Sequence, residues 1–185
     1  MNLKLRYYGD PALRVVSRPV TDFGEPVRRI AQEMLVVMRE KEGVGLAAQQ
    51  VGETLALCVI DISSRVDTDE EGRRYNPDLS MPMIIANPRI VHAGEALECY
   101  EEGCLSFPEI TAPIERPGEI DLEYQDETGA KRTVHLKGLA ARAVQHEMDH
   151  LAGILIVDRM SQIKRLALSG RLKRLSRETK ETLTN

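Results

Sequence analysis

The sequence contains very few aromatic residues. Phe, Trp and Tyr together account for 4% of its 185 residues, and Trp is absent. Because many proteins hold single-stranded nucleic acids by stacking the bases on aromatic rings, this composition argues against a stacking platform. The formal net charge of −4 also argues against a general binder of DNA, of other nucleic acids or of anionic membranes.

Cysteines and long apolar runs are also scarce. Only three cysteines are present, an odd number in a chain too long to need covalent bridges for stability, so a disulfide framework is not expected. No run approaches the roughly 18 apolar residues of a membrane span. The first residues lack the apolar core of a secretory signal and the Arg/Ser-rich pattern of a transit peptide. We therefore expect a cytoplasmic protein.

The hydrophobic content of 42% is sufficient for a sizeable core, and the length suits one domain over residues 1–185. Periodicity and turn residues predict a mixed α+β layout rather than βαβ alternation. The predicted elements are a helix over 26–41, strands over 55–62, 83–87 and 89–92, a hairpin of 120–124 with 133–136, a helix over about 139–151 and a helical segment over 161–185. The polar segment 63–78 is predicted to be an exposed loop without an assigned function.

The stretch Gln145-His-Glu-Met-Asp-His150 carries the strongest chemical signal. His146 and His150 lie four residues apart on a predicted helix, so both rings project from one face and could bind a single metal ion. Glu147 is placed to move the protons of a water at that metal. Such a centre needs a third protein ligand and one open position.

Known metallopeptidase patterns do not supply that third ligand. In one extended pattern the ligand would fall at Ile156, which cannot coordinate a metal. Another pattern requires a downstream Glu, and the candidates, Glu178 and Glu181, lie in a basic tail. The upstream candidates are His92, His135, Cys58, Cys99 and Cys104. Spacing favours Cys104 but leaves the others open, and a metallopeptidase or a metal-stabilised binding module remains an alternative.

Three motifs resemble the signature motifs of the peptide deformylases, in the family's order. They are Gly43-Val-Gly-Leu-Ala-Ala-Gln-Gln50, Glu102-Gly-Cys-Leu-Ser106 and Gln145-His-Glu-Met-Asp-His-Leu151. The first could otherwise be a phosphate-binding turn, but it lacks a third glycine and precedes a strand. The flanking stretches Gly9–Arg14 and Gly138–Arg142 are also similar to family members. The resemblance implies removal of the formyl group from nascent chains that begin with formyl-Met, in a bacterial type of cytoplasmic enzyme that we expect to be a monomer.

The resemblance also implies a fold and a metal centre. The fold would consist of antiparallel sheets wrapped around a central metal-binding helix, with one helix near each terminus. Cys104, His146 and His150 would bind one divalent metal ion, and Glu147 would act as general acid and base. The family uses Fe²⁺, which Zn²⁺, Ni²⁺ or Co²⁺ can replace. Zinc has a higher intrinsic affinity than iron for such ligands.

Four further residues match family positions that contact the substrate. Gln50 and the backbone N–H of Leu105 would hold the oxyanion that develops during the reaction. Val44 and Gly45 would form the edge along which the substrate backbone lies.

The C-terminal segment, residues 161–185, carries seven Lys or Arg against two Glu. One interpretation is an amphipathic helix that packs Ile163, Leu166, Leu172 and Leu175 onto the domain. The other is attachment to ribosomal RNA, since nascent chains are the implied substrate.

Overall fold

The computed structural model describes residues 3–184, which form seven strands and five α-helices. In chain order the elements are α1 (Glu25–Glu40), β1 (Gly45–Ala47), β2 (Leu57–Ile60), β3 (Met83–Ala93), β4 (Leu97–Gly103), β5 (Thr111–Pro117), β6 (Glu119–Gln125), β7 (Lys131–Lys137), α2 (Gly138–Leu151), α3 (Ile156–Arg159), α4 (Gln162–Ala167) and α5 (Ser169–Thr184). Two short 3-10 helices, Pro11–Arg14 and Ala48–Val51, complete the described chain. None of the helices within this part of the chain combines the length and the apolar character of a transmembrane segment.

Helix α1 confirms the predicted amphipathic helix to within one residue. Pro26 lies in its first turn, where its missing N–H has no intrahelical acceptor to lose. Most residues at the apolar spacing are buried, among them Ala31, Met34 and Met38 at 0% exposure, and Ile30 is partly buried. This face packs on β1 and β2.

The strands form two antiparallel sheets. The larger has the order β1-β2-β3-β6-β7, and the smaller is the β4-β5 pair. Helix α2 packs against β1, β2, β6 and β7 of the larger sheet and against β5 of the smaller one. The predicted α+β fold, with antiparallel sheets around a central helix and helices towards both ends, is confirmed.

Small residues allow α2 to occupy this central place. Ala140 and Ala141 are at most 1% exposed and Ala143 is 6% exposed, so both sheets approach the helix axis closely. Gly138 begins the helix with φ +57°, and a Cβ there would lie 2.8 Å from the ring of Tyr75. A glycine is therefore needed where the loop before β3 crosses the start of α2.

The predicted break at Pro88 is wrong, because β3 runs through it without interruption. Its pairing with β6 shifts register between Ala86 and Arg89, and Asn87 there adopts φ +50°. Pro88, which has no N–H to donate, lies in this irregularity of the ladder. A bulge thus accommodates the proline without ending the strand.

The C-terminal segment is helical, as predicted, but α4 and α5 are separate helices that meet at Leu168. Leu172 is 6% exposed and Leu175 packs beside it on a core cluster. Ile163 and Leu166 are 85% and 75% exposed, so the expectation that they also pack on the domain is wrong. Helix α4 ends at Ala167 and α5 begins at Ser169, and α4 has no buried residue that would continue the buried face of α5.

The segment 63–78 contains no named helix or strand, as predicted, but it is anchored at one point. Asn76 is 6% exposed, and its side chain exchanges two hydrogen bonds with the backbone of Lys137, at 3.0 and 3.1 Å. It also donates to the buried Asp67 at 2.7 Å. These contacts hold the loop against the residue that precedes α2.

Candidate active site

The two sheets bring Cys104, His146 and His150 together around α2. Cys104 immediately follows β4, while both histidines project from one face of α2. The ligand atoms of the three side chains all lie within 4.8 Å of one another. Among the described residues, this is the group of His, Cys, Asp and Glu whose geometry could hold a metal ion.

The donor set fits a single metal ion. The distance from Cys104 Sγ to His150 Nε2 is 3.3 Å. A tetrahedral centre with bonds of about 2.3 Å to sulfur and 2.0 Å to nitrogen would separate the two donors by about 3.5 Å. His150 is 1% exposed, and burial holds its pKa well below the ordinary value, which favours the neutral ring. Burial would also lower the pKa of His146, but its contacts with Cys104 and Glu102 raise it well above the ordinary value.

The other sequence candidates for the third ligand lie outside this group. His92 and His135 are exposed on β3 and β7, and Cys99 is exposed on β4. Cys58 is buried in a core cluster, and burial raises the pKa of its thiol well above the ordinary value. That thiol therefore remains protonated, whereas a metal ligand must be a thiolate.

Glu147 is buried beside the metal-ligand trio. Its side chain is 4% exposed, and its Oε2 atom has no hydrogen-bond partner among the described residues. Burial raises the pKa of Glu147 to about 7. A carboxyl group with a pKa near neutrality can both take and return a proton, which is the behaviour expected of a general acid and base.

Three contacts fix the orientation of Gln50. Its Oε1 accepts a hydrogen bond from the backbone N–H of Ala47 at 2.8 Å. Its Nε2 donates to Ser106 Oγ at 3.2 Å and lies 3.6 Å from Cys104 Sγ. The amide N–H group is therefore directed at the metal-ligand trio. Ser106 is 0% exposed, and its hydrogen bond with Gln50 was not predicted from the sequence.

The two glycines of the first motif permit close approach by other parts of the site. A Cβ at Gly43 would lie 2.6 Å from Leu105 Cδ1, and one at Gly45 would lie 2.5 Å from Glu147 Oε1. A side chain at Gly43 would displace Leu105, and one at Gly45 would displace Glu147, both of which are predicted site residues. The Gly-Val-Gly spacing is thus explained by packing rather than by phosphate binding.

A buried ion-pair network surrounds the site, and sequence reasoning did not find it. Glu102, 6% exposed, accepts hydrogen bonds from Arg116 at 2.7 and 3.0 Å and from Arg142 at 2.7 Å. The Nδ1 atom of His146 lies 3.1 Å from the same carboxylate. Burial would raise the pKa of Glu102, but the hydrogen bonds from His146 and Arg116 lower it to about 2. This carboxylate is therefore ionised at neutral pH.

A cleft of about 600 Å³ leads from the surface to Glu147 and His146. Val44, Gly45 and Leu105 line this cleft. Each site residue predicted from the sequence therefore either lines the cleft or belongs to the metal-ligand trio. Apolar side chains, including Phe107 and Ile110, form much of its wall.

The fold and this site define an α+β protein with a Cys/His/His group able to hold a metal and a buried carboxylate beside it. Comparison with known proteins agrees. The sequence model of the family described as polypeptide deformylase matches residues 2–166. The peptide deformylase of Opitutus terrae is 44% identical over 184 residues, which cover 97% of this chain and 96% of that protein.

Solved structures of peptide deformylases are similar over almost the whole chain. One from Plasmodium falciparum has a TM-score of 0.85 at 35% identity and covers 97% of this chain and 98% of its own. A plant peptide deformylase has a TM-score of 0.86 at 32% identity, with coverage of 99% and 94%. The chain belongs to the peptide deformylase family, and it is an enzyme of that family.

Proposed function

We propose that this enzyme hydrolyses the N-terminal formyl group of polypeptides that begin with formyl-Met and releases formate. The observation that carries the proposal is the position of Glu147, buried beside the Cys104, His146 and His150 trio at the end of the cleft. We place the reaction in the bacterial cytoplasm, where such nascent chains are made.

Cys104, His146 and His150 would hold one divalent metal ion, with Fe²⁺ as the native ion and Zn²⁺, Ni²⁺ or Co²⁺ as replacements. When bound, the metal would lower the pKa of a water molecule and polarise the formyl oxygen. The mixed N/S donor set can bind all four ions, and zinc has a higher intrinsic affinity for it than iron, so the ion present would also depend on which metals are available.

Glu147 would act on the protons. In its ionised form it would accept a proton from the attacking water, and it would then deliver that proton to the amine that leaves the formyl carbon. A pKa of about 7 places both forms of the carboxyl group within reach near neutral pH.

Gln50 and Leu105 would stabilise the negative charge that develops on the formyl oxygen. The Gln50 Nε2 group is already directed towards Cys104, and its orientation is fixed by Ala47 and Ser106. A donor that is held in place before the reaction costs little reorganisation when charge appears. The backbone N–H of Leu105, next in sequence to Cys104, would be the second donor.

The substrate backbone would lie along Val44 and Gly45. Strand β1 is at the edge of the larger sheet, so the backbone of Gly45 could pair with an added strand. The methionine side chain would enter the apolar part of the cleft beside Phe107 and Ile110. All these groups come from one chain, so the proposed reaction requires no residue of a second subunit, and we propose that the enzyme acts as a monomer.

The decisive experiment measures formate release from formyl-Met-Ala-Ser by anaerobically purified protein and by its Glu147→Ala variant. Loss of the general acid and base should reduce kcat/KM by about 10²–10⁴. Glu70→Ala, in the exposed loop, is the matched control and should retain full activity. If the metal-loaded protein releases no formate but cleaves unformylated peptides, a metallopeptidase replaces this proposal.

The basic C-terminal helix would provide a transient ribosome contact. Lys173 and Arg174 are exposed on α5, where both side chains are accessible to phosphate groups. Arg174 also forms an exposed pair with Glu178 at 3.7 Å, which a phosphate would have to replace. Changing both to Glu should weaken co-sedimentation with ribosomes and leave the hydrolysis of free formyl peptides unchanged. Unchanged co-sedimentation would refute this contact.

A further inference from the structure

Arg116 on β5 is a buried arginine that joins two carboxylates. It is 4% exposed. Its guanidinium donates to Glu102 at 2.7 and 3.0 Å and to Asp149 at 2.9 Å. Both acceptors are themselves buried, at 6% and 8% exposure, so these ion pairs are shielded from solvent.

Each of the two carboxylates adjoins a residue of the metal-ligand trio. Glu102 lies two residues before Cys104 and hydrogen-bonds to Nδ1 of His146, which leaves Nε2 of that ring for a metal. Asp149 immediately precedes His150 on α2. One guanidinium therefore connects the strand that leads to Cys104 with the helix that carries the two histidines.

This connection matters because Cys104 and the two histidines belong to different parts of the fold. Cys104 follows the two-stranded sheet, whereas α2 packs mainly on the five-stranded one. Arg142 hydrogen-bonds to Glu102, and Arg159 binds Asp149 at 2.5 and 3.1 Å. Among the ion pairs of residues 3–184, Arg116 is the arginine that bridges Glu102 and Asp149.

We propose that Arg116 is a positioning residue of the metal centre: by joining Glu102 to Asp149 it fixes the spacing between Cys104 and the two histidines and so sets the affinity for the metal. The proposal rests on the metal centre of the proposed function. Residues behind metal ligands hold those ligands in the geometry that the ion requires, and their loss commonly weakens metal binding. A lysine could not replace Arg116, because a single ammonium group lacks the planar fork that binds one carboxylate through two nitrogens while reaching another.

The test measures metal binding directly. Metal-free wild type, Arg116→Lys and Arg89→Lys are titrated with Co²⁺ alone, in competition with a chromophoric chelator, and their visible spectra are recorded. Arg116→Lys should bind Co²⁺ about 10–100-fold more weakly, with altered d–d bands that report a changed coordination geometry. Arg89→Lys is the matched control, since Arg89 forms an exposed pair with Glu123 on the sheet surface, and its affinity should not change.

Thermal melting of the metal-free proteins separates positioning from stability alone. A folded Arg116→Lys protein that binds Co²⁺ within about threefold of wild type, with the same spectrum, would overturn the proposal even if its Tm falls. If Arg116→Lys does not fold, Asp149→Asn decides by the same criterion, because it removes the charge at the other end of the bridge. Wild type that binds no Co²⁺ would instead refute the proposed metal centre itself.

Discussion

Replacing Gly45 by alanine tests whether the position of Glu147 controls the reaction. Gly45 lies in β1 without a left-handed backbone, so alanine brings no conformational strain of its own. Its new Cβ would lie 2.5 Å from Glu147 Oε1 and 3.0 Å from the carboxyl carbon. The closest favourable carbon–oxygen contacts are about 3.3 Å, so the carboxylate must move by about 0.8 Å.

That displacement can be converted into a rate. A misplacement of about 1 Å at a reacting group can cost about 10²-fold, which corresponds to about 2.7 kcal/mol of transition-state stabilisation. We therefore expect kcat/KM of Gly45→Ala for formyl-Met-Ala-Ser to fall about 100-fold, with most of the loss in kcat.

The control is Gly170→Ala, because nothing lies within 4 Å of a Cβ at that position in α5. Both variants are assayed for formate release, and their metal content and Tm are measured in parallel. Gly45→Ala activity within about threefold of the Gly170→Ala control would refute the reasoning, because the carboxylate would then tolerate the added methyl group. A matching loss of bound metal would also refute it, because the defect would then lie in the metal site.

Three further predictions concern stability. Leu172→Ala should cost about 2–3 kcal/mol because Leu172 is 6% exposed, whereas Ile163→Ala, at 85% exposure, should change stability by less than about 0.5 kcal/mol; urea unfolding that gives equal losses would contradict this. Asn76→Ala should cost about 2 kcal/mol and lower Tm by roughly 4–8 °C, because the backbone of Lys137 loses a buried partner; an unchanged melting curve would show that the loop anchor is dispensable. Burial would raise the pKa of Asp126, but hydrogen bonds from Thr128 and Arg132 hold it at about 2, so its contribution is present above about pH 4 and is lost as pH falls through 2. Asp126→Asn should therefore cost at most about 1 kcal/mol at pH 7, after discounting for solvent screening, and clearly less at pH 2; urea unfolding at the two pH values checks this, and a constant difference would contradict it.

The sequence predicts the parts of this molecule whose signals are local. The amphipathic period of α1 and the four-residue spacing of His146 and His150 depend on neighbours within one or two helical turns. The Gly-Val-Gly motif could be recognised, but the reason for it could not. Gly45 meets Glu147 across about 100 residues of chain, a contact that no periodic pattern reports.

The features that escaped prediction depend on contacts between distant segments. Arg116 stands in an alternating strand whose pattern indicates an inward position but not which charges will meet it there. Nothing in the sequence around Ser106 indicates that its hydroxyl accepts a hydrogen bond from Gln50, because the two residues meet only in the folded chain. The separation of α4 from α5 likewise depends on which apolar side chains pack against the rest of the domain. Ile163 on α4 is exposed and does not pack there.

The same packing that builds the core also tunes the site. Because Ala140, Ala141 and Ala143 are small, two sheets close around α2, and Glu147 on that helix is removed from water. Desolvation disfavours the charged carboxylate and raises the pKa of Glu147 to about 7. Glu102, equally buried but held by arginines, has a pKa of about 2. The pKa values of these two buried carboxyl groups therefore differ because their hydrogen-bond partners differ. Glu147 is suited to moving protons, and Glu102 is suited to holding a metal ligand in place.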